Sequence, residues 1–361
     1  MNRRRLRKAL KRVYYLPQNK FLLSYLKNKI KHLFYKISKS TKVAYPSTLM
    51  IELTNHCNLS CTICPREYQY GKDMDKGRMS IELAKKIIDE EIPYLDSIGL
   101  TGMGETFMYN DLSEIVNYIK SKNKGVIISV STNAVLPNFI EKIKPLIGKL
   151  DTIQISVDGL NEVYKSIRLN SNFDTLNTNI HILSDLCQGS STDLMINMVV
   201  TKENYTQMAD MVKYAESVGV IYVDFTILNL ASITEIPVEY YDFYKSPVFL
   251  SALDELANIV AQTKHVIVTK RNFEEENGFK KCPFPWTHFY VTFDGYITPC
   301  CAKPFPKEKN FGNIKDMYLI DILNSNEFIN WRELWFKNIT PDFCKKCHYI
   351  DLKPIGIQIS H

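Results

Sequence analysis

Three thiols fall within eight residues, Cys57-Asn58-Leu59-Ser60-Cys61-Thr62-Ile63-Cys64, just after the apolar run Leu49–Leu53. Thiolates bind soft iron, and spacings this short let one loop supply three corners of an iron–sulfur cube. Three ligands for four irons leave one iron open for chemistry. A structural zinc loop normally uses four protein ligands. No histidine follows at a zinc-like spacing, although His56 adjoins Cys57. A second set, Cys282, Cys300, Cys344 and Cys347, has the spacing Cys-x17-Cys-x43-Cys-x2-Cys. Four thiolates fully ligate either tetrahedral zinc or a second cluster, and spacing alone favours zinc. Cys301 is left over beside Cys300. It is a candidate hydrogen or proton donor, or else a thiol packed beneath the metal. Cys187 lies alone in an amphipathic run and reads as core.

The elements that must position these thiols alternate between apolar runs and amphipathic runs. Strands are expected at Leu49–Leu53, Asp96–Thr101, Val126–Thr132, Thr152–Val157, Leu194–Val200 and Ile221–Leu228. Helices are expected at Ser80–Glu91, Asp111–Lys122, Asn138–Gly148, Asp174–Cys187 and Asn204–Val218. Ser80 reads as an N-cap, and Gly148 and Gly219 read as stops. Six β–α alternations predict a parallel sheet with right-handed crossovers, either a barrel or an open doubly wound sheet. In barrels, chemistry gathers at the C-terminal strand ends, and Cys57–Cys64 lies just past the first strand. Farther on come the aromatic run Glu239–Tyr244, a helix around Ser251–Thr263, the short run Val266–Thr269 and the acidic run Glu274–Glu276. Tyr290–Cys301 reads as a hairpin turning at Asp294-Gly295.

The 361 residues allow two domains, and nine cysteines are many for that length. An odd count without a secretory signal favours metal over disulfides and a reducing cytoplasm. No apolar run reaches 18 residues, so no transmembrane helix is expected. The net charge of +6 conceals an asymmetry. Residues 1–50 hold 14 Lys or Arg and no acid, whereas the remainder holds 31 basic against 39 acidic residues. Leu22, Leu26, Ile30, Leu33 and Ile37 recur at helical spacing, with lysines between them. A basic amphipathic extension over residues 1–46 has three readings. Residues 1–42 can make peripheral contact with the inner face of a membrane, the helix can pack outside the main domain with solvated lysines, or, least favoured, it is a nucleic-acid arm. The segment is too short for a separate peptide-recognition domain.

The segment Glu52–Pro65 resembles the cluster loop of radical S-adenosylmethionine (SAM) enzymes, with Ile63 where that family usually carries an aromatic side chain. The resemblance implies that the open iron chelates SAM and that one electron cleaves it to methionine and a 5′-deoxyadenosyl radical, which takes a hydrogen atom from substrate. It also implies an α/β fold, a partial (β/α)6 TIM-like barrel over 47–245. Thr101-Gly102-Met103-Gly104-Glu105-Thr106 resembles the family's Gly-Gly-Glu-Pro segment, implying that Gly104 and Glu105 receive the methionine amino group. Thr132 and Asn133 resemble a strand end near SAM. Ser156-Val157-Asp158-Gly159, followed by Arg168, resembles the subgroup with accessory clusters, implying contacts from Ser156 and Arg168 to SAM. Asn197 and Val200 are placed by the same resemblance near adenosine.

Residues 281–361 resemble a SPASM domain in its shortened "twitch" form, with Cys282, Cys300, Cys344 and Cys347 holding one auxiliary [4Fe–4S] cluster besides the SAM-binding one. Residues 246–280 read as a linker. The implied reaction is a two-electron oxidation, as in twitch-domain cyclitol dehydrogenases, of a carbohydrate, cyclitol or lipid-linked sugar, with flavodoxin or ferredoxin as reductant. The alternatives are epimerisation with Cys301 as hydrogen donor, peptide or protein maturation, and a non-catalytic metal-binding scaffold.

Overall fold

The structure is a computed structural model and describes residues 3–16, 20–263, 266–269 and 282–348. Eleven strands are defined: β1 (Thr48–Ile51), β2 (Ser60–Cys61), β3 (Ser97–Leu100), β4 (Ile127–Thr132), β5 (Thr152–Ser156), β6 (Arg168–Leu169), β7 (Asp193–Val200), β8 (Tyr222–Ile227), β9 (Ile267–Thr269), β10 (Phe289–Val291) and β11 (Ile297–Thr298). Nine of them form one sheet in the order β11-β10-β1-β3-β4-β5-β7-β8-β9. All its pairings are parallel except β10–β11. The six expected strands are its centre.

Side-chain alternation along these strands separates two faces. Leu49, Ile51, Ile98, Leu100, Ile128, Val130, Ile153, Ile155 and Ile196 are all buried in the core shared with the helices. The opposite, lumen-facing positions are more polar: Ser129, Ser131, Gln154, Ser156 and Asn197. Ser80 accepts from Leu83 N at 3.2 Å and starts the helix Ile81–Glu91 as expected. The expected helix 138–148 is shorter. An α-helix spans Phe139–Ile143, then a 3₁₀ turn spans Lys144–Leu146, because Pro145 offers no N–H to continue the ladder.

Residues 246–280 are not simply a linker. Ser246 caps a helix over Pro247–Gln262, and β9 then pairs in parallel with β8, adding another β–α–β unit. The acidic run 274–276 lies outside the described residues. The C-terminal module is likewise not a separate body, since β10 pairs with β1 from Leu49↔Phe289 to Ile51↔Val291. The hairpin turn falls at Asp294-Gly295, with Gly295 at φ +94°, a conformation that glycine adopts without strain. Arg332, fully buried, donates to the carbonyls of Thr41, Pro285 and Leu323, tying the module to the segment that precedes β1.

Two helices precede the barrel, α1 (Arg3–Tyr15) and α2 (Leu22–Ile37). Both lie across its floor, at the N-terminal strand ends. Arg7 pairs with Asp193, Lys11 with Asp151, and Arg12 with Asp96 at 3.2 Å. From α2, Tyr25 and Lys29 both reach Asp96 at 2.7 Å. The extension packs on the main domain: Arg7, Lys8, Lys11, Arg12 and Lys29 are paired there, while Lys20, Lys27, Lys31 and Lys36 stay exposed to solvent.

Candidate active site

The cluster loop is built from local turns plus one distant clasp. After β1 the chain reaches Cys57, and β2 then pairs antiparallel with β6, setting Cys61 opposite Arg168. Thr62 N donates to Ile167 O at 2.8 Å, Cys64 N to Cys61 O at 3.0 Å, and Tyr68 Oη to Thr62 O at 2.7 Å. Burial pushes all three thiols up, Cys61 to about 12. Arg66 opposes that rise at Cys57 and Cys64, and Arg168 opposes it at Cys57 and Cys61. The thiols lie within electrostatic reach of one another. Three desolvated soft donors in one loop fit a multi-iron cluster, whose positive iron supplies the charge that thiolates need there.

Beside the loop, the second and third strand ends are bolted together by Glu105. A Cβ at Gly104 would stand 2.4 Å from Thr54 O and 2.5 Å from His56 O, so only glycine fits this approach. Glu105 is buried, and its carboxylate accepts from Thr132 Oγ1 and Asn133 N at 2.7 Å each and from Phe107 N at 3.2 Å. Burial raises its carboxyl above the usual range, against those three donors. Asn133 Nδ2 donates to Asn58 Oδ1 at 2.8 Å and lies 3.9 Å from Cys57 Sγ. Glu105, Thr132 and Asn133 thus converge with Gly104 at the loop, and the Glu105 carboxylate already serves as a brace.

Arg168 is also committed within the protein. Its guanidinium binds Asp158 at 2.6 and 2.8 Å, and Asp158 Oδ1 accepts from Val199 N at 2.8 Å. Ser156 and Asn197 are register partners on the lumen side. Val200 is not with them. Three residues on from Asn197, it falls on the opposite face and is fully buried in the core, so the expected contact with adenosine is lost to the strand's two-residue period.

Sequence reading did not single out Glu52. Buried, it accepts from Tyr290 Oη at 2.6 Å, Met103 N at 2.7 Å and Phe293 N at 3.4 Å, joining β1, the glycine segment and the C-terminal hairpin. An acid inside the apolar run Leu49–Leu53 was the available signal. Glu52 borders a cavity of about 200 Å³ between the barrel mouth and the module, with Asn55, Met103, Asp294, Phe305 and Asn310.

The module brings Cys282, Cys300, Cys344 and Cys347 together from three segments. Burial raises Cys282 to about 12 and raises Cys300 and Cys344 too, and a charge on Cys301 or on any of the other three raises Cys300 more. Asn229 Nδ2 lies 3.9 Å from Cys347 Sγ, and Tyr241 Oη donates to Lys346 O at 2.7 Å. The run Glu239–Tyr244 is therefore packing that supports this site: Tyr244 Oη also donates to Val200 O. Cys301 lies within electrostatic reach of Cys282, Cys300 and Tyr290, and it is not among the residues that border the cavity.

Residues 51–215 match the model of the radical SAM superfamily, and residues 282–348 match that of an iron–sulfur cluster-binding domain, SPASM. The chain is similar to the tungsten-containing aldehyde ferredoxin oxidoreductase cofactor-modifying protein of Pyrococcus furiosus, 26% identical over 338 residues that cover 84% of this chain and 87% of that protein. It is 31% identical over 179 residues to the mycofactocin maturase MftC of Mycolicibacterium smegmatis, covering 48% of this chain and 43% of that one. Among solved structures, Streptococcus suis SuiB bound to S-adenosylmethionine superposes with a TM-score of 0.67 at 16% identity, covering 91% and 76% of the two chains. Native anSMEcpe with bound AdoMet superposes at 0.62 and 20% identity, covering 86% and 89%. At such identities the superpositions speak for the fold.

Proposed function

This chain is a radical SAM superfamily enzyme with a C-terminal SPASM iron–sulfur domain, and we propose that it carries out a net two-electron oxidation of a small polyhydroxylated substrate, a carbohydrate or cyclitol, with the C-terminal site taking the second electron. When bound, SAM and the loop's [4Fe–4S] cluster supply an adenosyl radical that takes a substrate hydrogen atom. The chain's own residues supply the rest. Cys57, Cys61 and Cys64 would hold the SAM-binding cluster, and Gly104 lets backbone close on the loop. Ser156 and Asn197 present polar groups to the lumen above which SAM would lie. Cys282, Cys300, Cys344 and Cys347 would ligate the auxiliary cluster completely, which suits electron transfer better than substrate binding.

The observation that carries this reading is a small cavity of about 200 Å³, bordered from the barrel mouth by Glu52, Asn55 and Met103 and from the C-terminal module by Asp294, Phe305 and Asn310. That volume admits a single sugar-sized ring and polar groups to orient it. Peptide maturation is the second reading. It is favoured by the solved likenesses whose complexes contain the precursor peptide SuiA and the Cp18Cys peptide.

The test is anaerobic reconstitution with dithionite and SAM, first without substrate and then with cyclitols, sugars or peptides. Uncoupled 5′-deoxyadenosine is expected without substrate, and its absence would remove the radical assignment. Oxidation gives a product lighter by two hydrogens. Epimerisation in deuterium oxide instead adds one deuterium, and Cys301→Ala would then abolish it.

A further inference from the structure

The two N-terminal helices are docked inside out. In α2 the face against the barrel is polar. Asn28 Nδ2 donates to Tyr45 O at 3.0 Å and its Oδ1 accepts from Tyr45 N at 3.1 Å, while His32 lies 2.8 Å from the same carbonyl. Lys29 reaches Ser47 at 2.9 Å, alongside its bond to Asp96. The outward face is apolar: Ile30 is 69% exposed and Ile37 73%, with Leu23, Leu26, Leu33 and Phe34 beside them. In α1, Arg7, Lys8, Lys11 and Arg12 turn to the floor, and Leu6, Leu10, Val13 and Tyr14 turn to solvent. Ten of the nineteen exposed large apolar side chains among the described residues lie in these two helices. Such a concentration marks an interaction surface.

Charge selects the occupant. Lys20, Lys27, Lys31, Lys36, Lys39 and Lys42 are exposed around the α2 stripe, and none of them has an ion pair among the described residues. No acid occurs before Glu52. A second copy would set lysine against lysine across the two-fold, an arrangement that repels. An RNA or DNA partner would draw on arginines and lysines facing one side of α1, but Arg7, Lys11 and Arg12 are already matched by Asp193, Asp151 and Asp96. An apolar stripe rimmed by free lysines matches the interface of an anionic bilayer: the stripe enters the acyl boundary and the lysine stems let their ammonium groups reach phosphate. No helix among the described residues is long and apolar enough to cross a membrane, so the contact is peripheral.

We propose that α1 and α2 form a membrane-docking floor for anionic lipid. Docking there has a geometric consequence. The helices cover the N-terminal strand ends and the cysteine loop lies at the C-terminal ends, so the docked enzyme opens its mouth away from the bilayer. A docked substrate is therefore water-borne, or carries its reacting group on a long enough tether to come around the barrel.

The experiment is co-flotation of the full reconstituted chain with vesicles of phosphatidylglycerol and phosphatidylcholine in equal parts, and with phosphatidylcholine alone. Binding is expected on the anionic vesicles, weakened by salt, and at least about tenfold weaker on the neutral ones. The double variant Ile30→Glu, Leu33→Glu should lower partition at least about tenfold, since it places charge in the acyl boundary. Its iron content and thermal melting should be unchanged, because both side chains face solvent. Unimpaired flotation of that variant, or no binding of the native chain to anionic vesicles, overturns the proposal. So does a native dimer that the same substitutions dissociate, or retention on RNA without any on vesicles.

Discussion

The two ends of the barrel treat carboxylates in opposite ways. At the mouth, Glu52 and Glu105 are buried against neutral donors, hydroxyls and backbone N–H groups, and burial raises both. At the floor, burial also works against the Asp151 carboxylate, but Lys120 and Lys11 outweigh it and hold the group below the usual range. Asp96 and Asp193 meet cations in the same way. The mouth thus braces Glu52 and Glu105 with neutral donors, and the charges that reach its thiols are those of Arg66 and of the Arg168–Asp158 pair. The floor is an ionic socket, and it turns the apolar sides of two helices outward. One end gathers desolvated thiols, and the other pairs its acids with cations and leaves an apolar helix face to solvent.

The largest expected effect lies within the mouth. Cys61→Ala should reduce 5′-deoxyadenosine formation to background, by loss of a ligand in the open-iron set. Cys344→Ala should keep at least about a third of the uncoupled 5′-deoxyadenosine while losing substrate oxidation, because the two sets share no ligand. Equal loss from both would merge the two sites into one unit. Next is Arg168→Met, which leaves Asp158 buried without its cation. Breaking a buried pair from one side costs about 3–5 kcal/mol, read as a lower unfolding midpoint. An unfolding curve superposable on the native one would show that Asp158 does not need Arg168.

At the floor, Asp151→Asn should destabilise by about 1–3 kcal/mol near neutral pH, since Lys11 and Lys120 lose their common partner. The pH dependence has a definite sign. A carboxylate held low in the folded state stabilises above its unfolded pKa and loses that contribution as pH falls through its folded value. The gap between native and Asp151→Asn chains should therefore close as pH drops below about 4. Glu105 has the opposite sign. Its raised carboxyl favours folding while protonated, and that contribution is lost as pH rises above the ordinary glutamate range. Glu105→Gln keeps an acceptor oxygen for Thr132 and Phe107 but turns an amide NH2 toward Asn133 N, so it should destabilise by about 1–3 kcal/mol, the gap to the native chain narrowing as pH rises. Chemical denaturation of both variants from pH 3.5 to 8 checks this. Parallel slopes would erase the contrast between mouth and floor.

Much of the site was legible in the chain. Cys57, Cys61 and Cys64 form a loop because their spacing is local, and the β–α alternation appears because a strand's two-residue period and a helix's 3.6-residue period are written within a few residues each. Gly104 was legible as a point of close approach. The Ser80 cap and the Asp294-Gly295 turn were local for the same reason.

The rest depended on partners far away in the chain. Glu105 and Arg168 were legible as candidate SAM contacts, whereas their partners within the protein, Thr132 and Asn133 for the one and Asp158 for the other, were not. Val200 failed by parity, since face assignment needs register as well as period. The Glu52–Tyr290 bond spans 238 residues, a separation no local pattern encodes. The N-terminal helices are the clearest case. Their sequence determined which residues share a face, and amphipathicity alone does not say which face docks. That was decided only when β3, β5 and β7 lined up and brought Asp96, Asp151 and Asp193 to one floor. Those acids drew in the cations and left the leucines and isoleucines outside.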